Sequence, residues 1–285
     1  MSQSNVARLL VSCPDTEGIV AALATALSDA GANIISSDQY SSDPYGGSFS
    51  LRMEFYIPSP EERFPALRER IAQIGERLGL DWKLVDARRR KRVALFVSRY
   101  DHCLMDLLMR WRRGELEMDI VAVVSNHADL MDEVQRFGVP YHHIPVNKEN
   151  KLDAERAQLE LIGGDVDLVV MARYMQILTG NFLDKIGAPV INIHHSFLPA
   201  FAGAGPYQRA YLRGVKLIGA TAHYATQDLD EGPIIEQDVV RVTHRDDAAA
   251  LERIGADVER LVLARAVAWH LQDRVLLQGH RTIVF

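Results

Sequence analysis

Apolar residues fall into short runs along this chain, and the rhythm of those runs changes near residue 93. Before that point, residues 6–12 (Val-Ala-Arg-Leu-Leu-Val-Ser) predict a short strand. Asp15-Thr16 then offer an N-cap to a helix-periodic run from Ile19 to Leu27, which Gly31 closes. Asn33 to Ser42 and Ser48 to Ile57 read as two more strands, and the turn-forming stretch Asp43-Pro44-Tyr45-Gly46-Gly47 between them makes a hairpin. Pro60 opens a second helix that ends near Gly79, and Trp82 to Val85 supply a last strand. From Val93 onward, apolar runs at 93–97, 120–124, 141–146, 166–172 and 190–193 alternate with helix-length segments such as 104–113, 130–137 and 154–162. Residues 219–224 and 233–242 predict further strands, and 248–272 a long closing helix.

The order βαββαβ within residues 1–86 predicts a ferredoxin-like domain. Residues 87–92, with five consecutive basic residues from Arg88 to Arg92, read as a solvated linker. Alternating strands and helices over 93–285 predict a Rossmann-like, doubly wound, mostly parallel sheet, so the fold class is α/β with two domains. In such sheets ligands bind beyond the carboxyl ends of the strands.

Composition narrows the function. At 285 residues with 48% apolar and 25% charged residues, the chain has material for two ordinary globular cores. No uncharged apolar stretch approaches the ~18 residues of a membrane span, and Met1-Ser2-Gln3-Ser4-Asn5 lacks an export-signal layout, so a cytoplasmic protein without membrane contact is expected. Cys13 and Cys103 are the only cysteines, which excludes a disulfide framework or a Cys-rich metal site. Residues 1–92 carry twelve Lys/Arg and twelve Asp/Glu, so the whole net charge of −6 lies in the remainder. An acidic large domain argues against nucleic acid and for a small-molecule partner.

Candidate chemistry clusters late in the chain. The predicted strand 189–196 places Asn192 and His194 on one face, ~6.6 Å apart at ~3.3 Å per residue, at its C-terminal end. His223 lies on the next predicted strand, and Asp228, Asp230 and Glu231 follow in an acidic loop that fits equally a solvated turn or a cation, without the EF-hand spacing. His142 and His143 are adjacent on a strand and point to opposite faces, so they make no metal pair. No metal or cofactor is expected. In the first domain, Asp15 to Ile19 lead from strand into helix and offer backbone N–H groups to a small carboxylate.

Asn192-x-His194, then Leu198-Pro199, then His223 and the run Asp228-Leu229-Asp230-Glu231-Gly232-Pro233 resemble the N10-formyltetrahydrofolate hydrolase/transferase superfamily. The segment Ala172-Arg173-Tyr174-Met175-Gln176-Ile177-Leu178 is similar to that superfamily's folate-pocket strip. Glycine is absent from Ser98-Arg99-Tyr100-Asp101-His102-Cys103-Leu104, where a nucleotide-accepting transferase would cradle a phosphate with a glycine-rich loop. Only 55 residues follow Asp230, too few for a tRNA-docking domain. The resemblance is therefore to the hydrolase branch, and the first domain resembles the ACT amino-acid-sensing module.

This resemblance implies hydrolysis of 10-formyltetrahydrofolate to tetrahydrofolate and formate. It implies Asn192 and His194 as stabilisers of the oxyanion, Asp230 as the group holding water and relaying a proton, and His223 as an orienting partner. Tyr174, Met175, Gln176, Ile177, Leu178 and Asp228 would bind the pterin. Asp101 and His102 would occupy the acceptor side, Asp101 repelling phosphate or simply capping a helix. Asp15, Gly18 and Asn33 would bind an amino-acid effector, glycine or methionine, between two copies in a homo-oligomer. The rival readings are formyl transfer to an amine acceptor and a non-catalytic folate or amino-acid sensor.

Overall fold

The computed structural model describes residues 5–200 and 205–285; Met1–Ser4, part of the segment read for an export signal, lie outside the described residues. The chain forms two compact units. One holds residues up to Arg90 with 273–278 and 283–285, and the other holds 91–272 with 279–282.

The first unit runs β1 (Val6–Pro14), α1 (Ile19–Asp29), β2 (Asn33–Ser41), β3 (Ser48–Tyr56), α2 (Pro60–Leu78) and β4 (Asp81–Asp86). Its antiparallel sheet has the order β2-β3-β1-β4. Alternate residues Ala7, Leu9 and Val11 of β1 and Leu51, Met53 and Phe55 of β3 point to one face, where they pack with Leu23 and Leu27 of α1 and Leu67 and Ile71 of α2. This is the expected βαββαβ order. The cap of α1 differs from expectation: Gly18, at φ +87°, holds the N-cap position with no side-chain hydrogen bond. Asp15 is occupied elsewhere, accepting from Ser41 Oγ through its carboxylate and donating its backbone N–H to the Gly47 carbonyl at 2.8 Å.

The boundary read at 87–92 also shifts, to lie between Arg90 and Lys91. Lys91 and Arg92 begin a strand of the second unit, which leaves only residues 87–90 between β4 and that strand, and there Arg88 is bound by Asp86 at 2.7 Å and Glu61 at 2.5 Å. Residues 273–278 return to the first unit because Arg8 and Arg52, buried on its sheet, need partners. Arg8 Nη1 donates to the Asp273 carboxylate at 3.1 Å and Arg52 Nε to the Asp273 carbonyl at 3.2 Å, while Glu54 takes a hydrogen bond from each arginine.

The second unit runs β5 (Lys91–Val97), α3 (His102–Arg112), β6 (Met118–Ser125), α4 (Met131–Gln135), β7 (Tyr141–His143), α5 (Lys151–Ile162), β8 (Leu168–Met171), α6 (Gly180–Ile186), β9 (Val190–His194), α7 (Pro206–Arg213), β10 (Leu217–Tyr224), β11 (Ile234–Arg241) and α8 (Ala248–Leu271). A short pair, β12 (Val275–Gln278) and β13 (Arg281–Val284), ends the chain. The seven-stranded sheet has the order β11-β10-β9-β8-β5-β6-β7. Its β5 to β9 are parallel, whereas β10 and β11 run antiparallel to their neighbours. Chain order reverses between β5 and β8, so the loops after these strands part there and open a crevice. Residues 93–97 of β5 are fully buried, as a central strand covered on both faces requires. No described helix is long and apolar enough to cross a membrane.

Phe96 of β5 meets Tyr174 edge-on at 5.1 Å and Phe182 at 6.1 Å, and so joins β5 to the loop after β8 and to α6. Phe96→Ala should cost about 3–5 kcal/mol of stability through lost burial and a residual cavity. Chemical denaturation of the full chain reads this directly; a loss under about 1 kcal/mol would mean that this aromatic junction does not carry the core.

Candidate active site

The reversal of β10 builds the site. Because β10 pairs antiparallel with β9, His223 stands directly opposite Asn192 in the register. His223 Nδ1 lies 3.0 Å from the Tyr224 carbonyl, which only an N–H can satisfy. Burial, first of all, holds the imidazole's pKa below its ordinary value, so the ring is neutral and its Nε2 is an acceptor. Asn192 Nδ2 donates to that Nε2 at 3.2 Å. The amide of Asn192 is thereby oriented, its nitrogen toward His223.

Asp230 completes the group from the loop after β10. Its Oδ1 lies 3.2 Å from His194 Nδ1 and 3.8 Å from His223 Nε2. The loop reaches this position by a tight fold-back: Tyr224 N–H donates to the Pro233 carbonyl at 2.9 Å, and a Cβ on Gly232 would sit 1.7 Å from the Tyr224 carbonyl oxygen. Asp230 itself has φ +60°, a left-handed conformation that aims its side chain back at β9. His194 is 5% exposed, and its Nε2 has no hydrogen-bond partner among the described residues.

These four side chains line one cavity of about 200 Å³. One wall is the strip Tyr174, Met175, Gln176, Ile177 and Leu178, and the facing wall includes Asp228 and Leu229. Met175, Ile177 and Leu229 are each more than half exposed, which is unusual for large apolar side chains and fits walls that a ligand covers. The strip is pinned from below. Ser98 N–H donates to the Arg173 carbonyl at 3.2 Å, Ser98 Oγ donates to the Tyr174 carbonyl, and Gln158 Nε2 donates to the Tyr174 hydroxyl at 2.7 Å. Burial pushes the Tyr174 phenol up to about 12, so its ring serves as a neutral backing to the wall.

The sequence-derived residues separate into three places. Asn192, His194, His223 and Asp230 come together with the strip 174–178 and Asp228. Asp101 and His102 do not line this cavity. Asp101 holds the N-cap position of α3 without a side-chain cap bond, and His102 Nε2 pairs with Glu259 at 2.7 Å. In the first unit, Asp15 contacts Ser41 at the end of β2 whereas Asn33 begins that nine-residue strand. Within one copy Asn33 is therefore roughly 26 Å along the strand from Ser41, the residue that Asp15 contacts.

Sequence reasoning assigned no role to Arg173, His195 or Glu259. Arg173 and His195 also line the cavity, and Glu259 lies behind them on α8. His102, Cys103 and Glu259 place potential metal-ligating atoms within 4.8 Å of one another. The donor set does not favour a cation: both Glu259 oxygens already accept hydrogen bonds, Arg173 lies 3.4 Å away, and burial, then Glu259, pushes the Cys103 thiol well above its ordinary range.

Matches to known proteins follow this division of the chain. A family model described as formyl transferase matches residues 91–267, and one described as ACT domain matches residues 7–76. Fold and site thus define a formyl transferase domain preceded by an ACT domain. Formyltetrahydrofolate deformylase of Mycobacterium tuberculosis (strain ATCC 25618 / H37Rv) is 56% identical over 283 residues, covering 99% of this chain and 91% of its own. The crystal structure of a formyltetrahydrofolate deformylase from Pseudomonas syringae pv. tomato superposes with a TM-score of 0.93 at 46% identity, over 98% of this chain and 94% of that one. Glycinamide ribonucleotide transformylase 1 from Symbiobacterium toebii shares the fold at a TM-score of 0.63 and 29% identity, over 69% of this chain and 94% of that one. The chain belongs to the formyltetrahydrofolate deformylase family.

His195 gives the site a pH signature. Burial, then the charge of Arg173, pulls its imidazole down to about 3. In the unfolded chain the same group titrates near 6.5, so below that pH unfolding takes up a proton that the folded state refuses. This contribution to stability is complete above pH 6.5 and is lost as pH falls toward 3. Between pH 7 and pH 5 it amounts to about 2 kcal/mol. His195→Gln should therefore flatten the fall in urea-unfolding stability between those two pH values by that amount. An unchanged fall would place the buried proton acceptor elsewhere.

Proposed function

We propose that this chain hydrolyses 10-formyltetrahydrofolate to tetrahydrofolate and formate, with Asn192, His194 and Asp230 at the reacting carbon. The observation that carries the reading is the convergence of an oriented amide, an imidazole and a carboxylate in one cavity whose mouth is lined by exposed apolar side chains. Water adds to the formyl carbon, and the negative charge on the tetrahedral oxygen is taken up by the Asn192 amide and by the proton of His194. Asp230 receives the proton of the attacking water and returns it to N10, whose bond to carbon then breaks. The balance closes without a co-reactant: the formamide and one water give the secondary amine and formic acid, which ionises to formate. Neutral His223 orients Asn192 through its Nε2 and lies beside Asp230. The strip 174–178 and Asp228 receive the pterin. The reaction requires neither a metal nor an organic cofactor.

The first unit is proposed to bind glycine or methionine and to join two copies. Its edge strand β2 is exposed along almost its whole length, with Ile35 55% and Tyr40 47% exposed. Antiparallel pairing of two such edges about Ser37 would set Asn33 of one copy opposite Ser41 of the other, beside Asp15. A homo-oligomer therefore supplies the two ends of an effector site that a single copy holds apart. Two free thiols, Cys13 and Cys103, suit a reducing compartment, and we place the enzyme in the cytosol.

Asp230→Asn and His194→Ala should each lower formate release at least about a hundredfold, a loss of ~2.7 kcal/mol of transition-state stabilisation. Dialysis against a chelator should leave the rate unchanged, and glycinamide ribonucleotide should not accelerate it. A rate within tenfold of the parent in either variant would remove these residues from the chemistry, and nucleotide dependence would make the protein a transferase. Titration of the full chain with glycine and methionine in a calorimeter, with light scattering for mass, tests the regulatory half. A monomer that takes up neither amino acid would leave the first unit as a scaffold.

A further inference from the structure

Beside the cavity lies a buried ionic cluster that hydrolysis, as derived above, does not use. Glu259 of α8 is 1% exposed. Its Oε1 accepts from the Tyr207 hydroxyl, its Oε2 accepts from His102 Nε2 at 2.7 Å, and Arg173 Nε stands 3.4 Å from Oε2. Burial opposes a charge on Glu259, but the His102 hydrogen bond and the Arg173 guanidinium prevail and hold its carboxyl below the ordinary range. Arg173 is 4% exposed, and its guanidinium carbon lies 4.6 Å over the Tyr100 ring. The cluster therefore gathers side chains from the loop after β5, the start of α3, the loop after β8, α7 and α8.

The fold makes room for this cluster at two positions, 173 and 255. Arg173 has φ +64°, a conformation in which glycine is the least strained residue. Its Nε and Nη1 are buried without a hydrogen-bond partner among the described residues, which is costly for a guanidinium. One turn before Glu259, Gly255 admits Tyr207: a Cβ there would lie 2.0 Å from the tyrosine oxygen. Glycine at 173 would relieve both the backbone and the unmet N–H groups, yet the chain carries its bulkiest cation there. That cation lines the same cavity as Asn192, His194 and Asp230.

We propose that Arg173 determines the acceptor: clamped by Glu259 and stacked on Tyr100, its side chain fills the space beside the formyl group that an amine would need, leaving entry to water. The inference rests on the hydrolytic reading above. The fold alone does not choose between the two acceptors, since the Symbiobacterium toebii transformylase shares it. Besides the glycine-free loop after β5, the choice falls to side chains lining the cavity, where bulk and charge exclude a larger nucleophile.

Hydroxylamine is the probe, being the smallest amine whose formyl product is easily measured. In the transfer reaction the carbon–N10 bond breaks and a carbon–nitrogen bond to hydroxylamine forms. The proton lost by the hydroxylamine nitrogen ends on N10, giving tetrahydrofolate and formohydroxamate. The full chain, Arg173→Gly and the double variant Arg173→Gly/Glu259→Gln are supplied with 10-formyltetrahydrofolate and hydroxylamine, and formate and formohydroxamate are counted together. The double variant removes both charges, so it tests the point without a buried carboxylate that has lost its guanidinium. The parent should give formate almost alone, and the ratio of formohydroxamate to formate should rise at least tenfold in the variants, with unchanged circular dichroism. An unchanged ratio in the folded variants overturns the proposal. So does loss of formate release with no hydroxamate formed, because the cluster would then serve hydrolysis itself. A parent that releases no formate in water would instead sink the hydrolytic reading.

Discussion

The antiparallel pairing of β10 with β9 is the constraint on which the site depends. In a sheet otherwise parallel from β5 to β9, this one reversal sets His223 across from Asn192 and sends the following loop back over the same strand. A one-residue slip would turn either His223 or Asn192 to the opposite face and break the amide–imidazole bond. The rest of the arrangement is consequent: the Tyr224 carbonyl fixes the imidazole tautomer, the imidazole fixes the amide, and Gly232 lets the loop close tightly enough to deliver Asp230.

The cavity is bounded by two kinds of wall with different physics. Met175, Ile177 and Leu229 are apolar and exposed, so they are stabilised by whatever flat surface covers them. The wall formed by Arg173 and His195 is buried and polar, and it is held from behind by Glu259 rather than by a ligand. A neutral His195 beside the Arg173–Glu259 pair keeps that wall free of net charge.

Much of this was legible in the residues themselves. Strand period two placed Asn192 and His194 on one face, and a run of five apolar residues at 93–97 announced a strand covered on both sides. Asp230 was visible only through the resemblance, since its loop reads equally as a solvated turn and its left-handed backbone leaves no trace in the sequence. α6 and α7, seven and eight residues long, are too short to show a helical period, and β12 and β13 are four residues each. Asp15 resembled a cap and became a partner of Ser41 because a strand 26 positions away claimed it. Glu259 looked like any charged residue of a long helix. Only the convergence of α3, α7 and the loop after β8 on one point makes it the centre of a cluster, and such convergence is tertiary.

The most direct test of the central claim is a crystal structure of the full chain with a folate analogue whose formyl group cannot be hydrolysed. The pterin should lie between the strip 174–178 and the 228–230 loop. The formyl oxygen should lie within about 3 Å of Asn192 Nδ2, with a water within about 3 Å of Asp230 on the other side of the formyl carbon. A formyl group bound outside hydrogen-bonding reach of both Asn192 and Asp230, with the pterin still in the cavity, would contradict it.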